Sequence, residues 1–425
     1  MIVADSGVVP SDSGPGWEGH LPGTAAFRRV IVALFAAGVA AFCQLYATQS
    51  MLPAMAREFE ISEARAALSV SAATAGLACA VLPWSAVADR LGRRTTLLAA
   101  LTASVVIGVG VCLAPDYSWL LVARFAQGAA IAGVPATAMA YLSEELSRSA
   151  VAVAAGLFVA GNTVGGLSGR LLAGPIGELV SWRLGVGAVT VLAAVATLVC
   201  LRAAPRPRGF LPASRADADP GLSFVGRLGA VVRDRRLLAL YGQAFLLMGG
   251  FVAVYNYLGF RLEDRPLNVP PELTAFIFVT YLAGTWSSSR AGRTVRRFGR
   301  LRTLLGGTAV MAAGLLLTLV GWLPAIVVGM LLLTAGFFVA HSVATGWISA
   351  FAPQGRAQAT SLYNLGYYGG SSLFGWAVGL LFAPFGWPGV VAAVGALALT
   401  AAAWAAHTLR GQPGAGRERR DADRR

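Results

Sequence analysis

Three side chains place a charged or titratable group inside stretches that are otherwise apolar: Arg124, Arg170 and His341. Such a group costs about 2.5 to 3.5 kcal/mol at the centre of a membrane span on insertion scales, so each needs a partner or a task. Arg124 can hold an anionic group or perturb the proton affinity of a neighbour, with Gln127 one turn later on the same helical face; its alternative is a structural arginine neutralised by backbone carbonyls of adjacent spans. Arg170, in "GGLSGRLLAG", has the same two readings and can also snorkel to the interface. His341 is the one histidine well inside a span, and an unperturbed imidazole titrates near neutral pH. It is either a proton carrier or a hydrogen-bonded structural residue, and the absence of Asp or Glu from the middle of any span favours the first. Neutral hydrogen-bonding and aromatic groups accompany them: Gln44, Tyr46 and Gln49; Trp286; Tyr255, Asn256 and Tyr257; Asn364, Tyr367 and Tyr368. As a lining they suit a neutral polyol or an amphipathic aromatic compound better than a multivalent anion. Singly, each has the alternative of bonding across helices or sitting in an interfacial aromatic belt.

Other chemistries find no residues to carry them. There is no metal-ligand cluster, no hydrolytic constellation and no G-x-x-x-x-G-K-[ST] loop, so the sequence reads as neither an enzyme nor an ATP-driven machine. No cofactor is expected, and an ion gradient, most simply of protons, is the expected driving force. Cys43, Cys79, Cys112 and Cys200 lie in apolar stretches without paired spacing and read as small buried residues. The formal net charge is +14, every cation being arginine. These arginines sit in short clusters between oily stretches and form no basic face, which argues against a nucleic-acid partner.

At 56% hydrophobic and 13% charged residues, with mean hydropathy +0.65, the chain is too apolar for a soluble domain. A span needs about 20 mostly apolar residues to cross the bilayer. Twelve segments qualify, near 29–52, 65–88, 95–114, 119–142, 150–175, 182–201, 237–259, 272–292, 302–321, 324–347, 357–380 and 387–409. Alternate connections carry the arginines: Arg28 and Arg29, the Arg90 to Arg94 cluster, Arg148, the stretch from Arg202 to Arg236, the Arg290 to Arg302 cluster, Arg356 and the tail "RERRDADRR". Cytoplasmic loops retain such an excess, so both termini are expected in the cytoplasm. On the other side Arg57, Arg65, Arg261 and Arg265 are accompanied by Glu58, Glu60, Glu63, Glu263 and Asp264. The expected organisation is a tail over 1–26, a six-span bundle over 27–201, a cytoplasmic linker over 202–236, a second bundle over 237–409 and a basic tail over 410–425. Within the linker, Leu222 to Val232 reads as a solvated connector or a short amphipathic helix on the membrane surface. Residues 1–26 lack a basic segment followed by an apolar core, so no cleaved signal is expected.

The two bundles repeat each other. Laying Gly92 of "ADRLGRRTTLL" on Gly299 of "TVRRFGRLRTLL" matches Arg90 with Arg297 and Arg93 with Arg300, but sets Asp89 against Arg296. Nearly the same displacement lays Gly161 on Gly366, Gly174 on Gly379 and Trp182 on Trp387. An internal duplication of this kind is a signature of secondary transporters, with sites near the midplane between repeats.

The loop Ser85-x-x-x-Asp89-Arg90-x-Gly92-Arg93-Arg94 closely resembles the G-x-x-x-D-R-x-G-R-R motif of the major facilitator superfamily, with Ser85 where glycine is usual. Leu120, Arg124, Gln127 and Gly128 resemble its L-x-x-x-R-x-x-Q-G pattern in the fourth span. The resemblance covers nearly the whole chain and implies an all-α membrane protein of twelve transmembrane helices in two pseudo-symmetric six-helix bundles. "LYATQSMLPAMAREFEIS", "MGGFVAVYNYLGFRL" and "SLYNLGYYGGSS" are similar to a bacterial sugar-efflux and drug-efflux branch of the arabinose-exporter type. The implied function is proton-coupled export of a small organic solute by alternating access, with proton-coupled import as the alternative and a non-transporting membrane sensor as a reading from another class. The implied setting is a monomer in the bacterial inner membrane, with lipid and a small-molecule substrate as partners. The resemblance also implies a conformational latch of Asp89, Arg90, Gly92, Arg93, Arg94, Glu144 and Glu145. A carboxylate ending the second span is placed to cap the N-terminus of the eleventh, clipping the halves together when the opposite face is open.

Overall fold

The computed structural model describes residues 17–209, 224–352 and 355–410. The first half holds α1 (Ala25–Leu45), α2 (Glu63–Leu91), α3 (Arg93–Cys112), α4 (Tyr117–Ile131 continued by Gly133–Glu145), α5 (Arg148–Leu179) and α6 (Trp182–Ala203). The second holds α7 (Arg235–Glu263), α8 (Tyr281–Phe298), α9 (Arg300–Leu317), α10 (Leu323–Phe351), α11 (Arg356–Ala377) and α12 (Phe382–Thr408). No β-strand occurs among the described residues. Ten helical stretches among the described residues are long and apolar enough to span a membrane. One of them, Gln358–Thr408, is two spans: the chain reverses at Gly386, whose φ of 58° and ψ of −150° belong to no helix. The twelfth span, α8, is missing from those ten because its arginines and serines make it too polar, and it is approached through the short helix Pro271–Thr274 and the 3-10 turn Ala275–Thr280.

The duplication is visible in the backbone. Gly92 ends α2 and starts α3 at φ 88°, ψ 151°; Gly299 ends α8 and starts α9 at φ 83°, ψ 164°. A side chain strains that conformation, so glycine stands at both turns. Close helix contact repeats as well. A methyl added to Gly165 on α5 would collide with the backbone of Val39 on α1, and one on Gly370 of α11 with the backbone of Phe245 on α7.

The first span departs from the expected continuous helix over 29–52. It stops at Leu45, turns through the 3-10 helix Ala47–Met51 and resumes as Leu52–Glu58, with Pro53 unable to donate into the preceding turn. Of the four cysteines, Cys43 and Cys200 are buried, whereas Cys79 is exposed, which corrects the uniform burial expected of them. Sequence neighbours decide burial poorly here, because one face of every peripheral span meets lipid, not protein.

Among the described residues, the contacts between the halves lie toward one end. Near the arginine-rich end α5 buries one residue per turn, Ala150, Ala154, Phe158 and Gly161, on the stripe that reaches α1. From mid-helix it buries two per turn, Gly165 with Gly166, Gly169 with Arg170, Ala173 with Gly174. The added stripe faces the other half: Gly174 abuts Ala275, and Arg170 reaches Tyr281. On the other side of the molecule α2 and α11 cross where Ser372 donates to the Ser71 carbonyl at 2.9 Å. The bundles are therefore joined away from the arginine-rich loops and part toward them.

Candidate functional site

Arg124 lies inside the first half and is 1% exposed. Its guanidinium donates to the carbonyls of Ser69 (3.1 Å), Gln44 (2.9 Å) and Leu45 (2.5 Å) and to Oε1 of Gln127 (2.5 Å). Gln127 in turn donates to Oε1 of Gln44 at 2.8 Å, and Gln44 donates to Ser104 Oγ at 3.2 Å. Gln44 and Leu45 end α1, where helix carbonyls lack intrahelical partners and carry the negative end of the dipole. Arg124 thus caps the break in the first span from the neighbouring α4. This differs from the expectation that Arg124, Gln127 and Gln44 line the space between bundles. Their polar atoms are turned to one another and to backbone.

What that break delivers is Tyr46 and Gln49. Gln49 Nε2 donates to Asn256 Oδ1 of α7 at 2.7 Å, and Gln49 Oε1 accepts from Arg170 Nε at 2.8 Å. Arg170, 2% exposed, also donates to the Gly166 carbonyl (2.8 Å) and to the Tyr281 hydroxyl (3.3 Å). Its guanidinium lies over the rings of Tyr46 (4.6 Å), Tyr281 (4.7 Å) and Phe278 (5.0 Å), positions favourable for a cation. Asn256 then donates to the Gly375 carbonyl of α11 at 3.0 Å. One chain of contacts therefore runs from α5 through the 3-10 turn after α1 and through α7 to α11, crossing the boundary between bundles once, and the Arg170 to Tyr281 bond crosses it a second time. Arg170 does not snorkel: it is the node of this chain.

Other aromatic candidates have different surroundings. Tyr257 donates to the carbonyls of Gly375 and Trp376, and Tyr255 bonds Thr280 and Thr334 at 2.7 Å, all within the second half. These two are buried packing groups and line no open space. Trp286 is 60% exposed and carries the Arg290 guanidinium over its ring at 4.1 Å, outside the network. His341 on α10 is half-buried, bonds the Tyr363 hydroxyl through Nδ1 at 2.8 Å, and stacks on Phe337. Tyr367 lies against the imidazole at 5.1 Å and against Tyr368, with Asn364 half-buried on the same helix.

At the arginine-rich end Arg93 donates to Asp89 (2.5 Å) and to Glu144 (3.0 Å). Asp89, 45% exposed, is thus held by its own half. Arg94 donates to the Ala204 carbonyl. Glu145 is fully buried and accepts the backbone N–H groups of Arg208 (2.8 Å) and Gly209 (2.9 Å), pinning the start of the linker to the first half. His20 bridges the same corner, its N–H donating to the Glu145 carbonyl at 2.8 Å. Burial holds the His20 imidazole below its usual pKa, with Arg208 adding to the effect and Glu145 opposing it. The linker's far end forms the helix Phe224–Arg233, and Val231 of that helix is buried with Leu237 and Trp347 of the second half. Leu222, expected in that helix, lies outside the described residues.

The pattern of the Major Facilitator Superfamily matches residues 34–290. The chain belongs to that superfamily. It is 42% identical over 368 residues to the inner membrane transport protein YnfM of Escherichia coli K12, covering 87% of each chain. It is 35% identical to the uncharacterised MFS-type transporter YybF of Bacillus subtilis, covering 89% of this chain and 93% of that one. Among solved structures it resembles the nucleoside transporter NupG, with TM-score 0.73 and 13% identity over 90% of this chain and 100% of that one. A bacterial homologue of the lysosomal transporter Spinster follows at TM-score 0.72 and 16% identity, over 92% and 98%. These two likenesses bear on the fold alone. The protein is a multi-pass membrane transporter of the superfamily and not an enzyme.

For this superfamily member, sequence reasoning passed over Tyr281 and Phe278, which complete the setting of Arg170, and over Glu178 on α5. Tyr281 begins α8 just after a 3-10 turn, and its one sequence cue is the aromatic density of "FIFVTY". Glu178 sits past the apolar part of the fifth span, where a carboxylate is unremarkable until Arg57 is seen beside it.

Proposed function

We propose that this protein exports a small organic solute, a sugar or a drug-like compound, in exchange for protons by alternating access. The arginine-rich face is taken as cytoplasmic from the excess of arginine in its loops, so the conformation described is inward-facing in the bacterial inner membrane, with both termini inside. The observation that carries the reading is the asymmetric contact between bundles: joined through Gln49, Arg170, Asn256 and Tyr281, and parted toward Asp89 and Glu144. A molecule that opens outward must break that chain and close the other end. Asp89 is then free to exchange Arg93 for the N-terminus of α11, with Arg90, Arg93, Arg94 and Glu144 re-pairing around the Gly92 turn. The solute site is assigned to the space bordered by Tyr46, Gln49, Arg170 and Asn256, with Asn364, Tyr367 and Tyr368 from α11. His341, bonded to Tyr363, is assigned the coupling proton, because its imidazole can carry one and no Asp or Glu lies in the middle of a span. Arg124, Gln127 and Gln44 act one step away, by fixing where α1 breaks.

The test is uptake into proteoliposomes across a panel of sugars and drugs, as counterflow and with an imposed pH gradient. Export predicts accumulation in inverted vesicles only when the lumen is acid, so that protons leave as the solute enters. Accumulation indifferent to the gradient refutes proton coupling, and accumulation down the proton gradient in the same direction as the proton identifies an importer.

A further inference from the structure

The face away from the arginine-rich loops carries a second constellation. Arg57, on the short helix after the break in the first span, pairs with Glu178 at the end of α5 and, at 2.6 Å, with Glu263 at the end of α7. Glu178 belongs to the first half and Glu263 to the second, so one guanidinium ties the bundles through two carboxylates. Their side chains are 4% and 15% exposed, and the outer Oε1 of each is buried without a hydrogen-bond partner. One guanidinium balances one carboxylate. With both ionised, the cluster keeps an uncompensated negative charge in a place where two carboxylate oxygens have nothing to bond, and such a charge is strongly penalised.

The surrounding charges do not supply the balance. Glu58 on the same short helix is taken by Arg183 of α6. Arg261 on α7 donates to the Arg265 carbonyl, and Arg265 donates its own N–H to Asp264. Glu60, Glu63 and Arg65 at the start of α2, and Glu272 before α8, form no ion pair with the cluster among the described residues. A cavity of about 460 Å³ is lined by Arg261 and Asp264, close to Glu263 in sequence, together with Glu63 and Trp387.

We propose that Arg57, Glu178 and Glu263 form a proton-binding site that exists only while this face is closed, so that one proton held between the two carboxylates locks the bundles together there. The balance is simple. A proton from water in the outer compartment adds to one carboxylate, leaving the other paired with Arg57 and the cluster neutral. When the face opens, Glu263 leaves with the second half into solvent, its proton returns to water, and Arg57 and Glu178 remain as a neutral pair. Closure raises proton affinity, so closure is favoured below the closed-state pKa and lost as pH rises through it. For a single linked proton the open-to-closed ratio rises by about tenfold per pH unit across the window between open and closed pKa values.

The proposal rests on alternating access and adds a pH dependence to it. The experiment is a pair of spin labels spanning this face, at Ser62 and Asn268, in the full chain with its cysteines replaced, reconstituted in nanodiscs and measured by pulsed electron resonance from pH 5 to 9. Wild type is expected to shift from short to long distances as pH rises, while Glu263→Gln and Glu178→Gln, each leaving one carboxylate for one arginine, are expected to stay closed with the slope abolished. A slope unchanged in both variants overturns the proposal. Distances that respond to solute but not to pH also overturn it and leave alternating access standing, whereas distances that respond to neither overturn alternating access itself. If the variants do not fold, infrared spectroscopy of wild type decides: a protonated-carboxyl band persisting above the range of free carboxylates, with exchange in heavy water, is required, and its absence refutes the site.

Discussion

Replacing Arg124 with leucine tests whether this arginine works by contact with cargo or by holding the first span. In the structure it satisfies four acceptors, of which the Ser69 carbonyl lies mid-helix and keeps its intrahelical donor and the Gln44 carbonyl also accepts the Tyr46 N–H, while the Leu45 carbonyl ends α1 and Gln127 Oε1 is buried. Two acceptors are therefore orphaned. At about 1 kcal/mol each, the low end of the cost of a buried unsatisfied group, the loss is about 2 kcal/mol. At roughly 2 °C per kcal/mol for a large domain, thermal unfolding in detergent should fall by about 4 °C. Removing both sides of the bond is cheaper than removing one, so Arg124→Leu/Gln127→Leu should cost less than the sum of the two single changes. The assay is intrinsic-fluorescence melting of purified protein beside solute counterflow. An Arg124→Leu protein with unchanged melting and abolished counterflow refutes the capping role and returns the residue to the solute site.

Further expectations follow from the same geometry. The Gln49 to Asn256 bond crosses between bundles, and interhelical hydrogen bonds in membranes are worth about 0.6 to 1.7 kcal/mol; Gln49→Leu and Asn256→Leu should each shift the inward population by about three- to twenty-fold, and a double-mutant cycle with no coupling energy would exclude the direct bond. Asp89→Asn should alter the ratio of inward to outward conformers read by cysteine accessibility, whereas Arg296→Asn, at the matching turn of the second half, should leave it unchanged; equal effects would remove Asp89 from the latch. His341→Gln should abolish gradient-driven transport and preserve counterflow, since exchange needs no net proton movement; gradient-driven transport at the wild-type rate rules the imidazole out. Gly92→Ala and Gly299→Ala should each lower stability by about 1 to 3 kcal/mol, the cost of a glycine-only backbone region, and a clear inequality in melting would mean that the two turns are not equivalent.

Much of the architecture was legible because the bilayer leaves few options. A spanning segment must satisfy its backbone internally and cover about 30 Å of hydrocarbon, so apolar run length reveals helices. The repeat of "DRLGRR" in "RRFGRL" revealed two bundles, and the glycine at its centre marked the same positive-φ turn in both. Arg170 was marked by its cost alone. Its pairing was not, because Gln49 and the stretch from Phe278 to Tyr281 come from two segments whose closeness depends on how the bundles meet.

Arg124 shows the limit of pattern most clearly. The spacing of Leu120, Arg124, Gln127 and Gly128 identifies the family, and an arginine in a span demands partners. Either a ligand or backbone carbonyls would satisfy it equally. The broken end of α1 supplied the carbonyls, and no local feature of "ALFAAGVAAFCQLYATQ" announces that break. Glu178 and Glu263 are the converse case: neither is buried within an apolar run, and only the meeting of α5, α7 and the helix after the first span puts them on one arginine.

The sequence by itself determined the spans, the duplication, the charge asymmetry between faces and the glycine turns, since each follows from local chemistry or from the solvent the chain must inhabit. Tertiary structure alone decided which polar groups became packing, which became the contact between halves, and which face was closed. Those outcomes depend on the relative placement of two nearly independent bundles, and a polar side chain inside a membrane takes its role from whichever partner that placement brings within hydrogen-bonding reach.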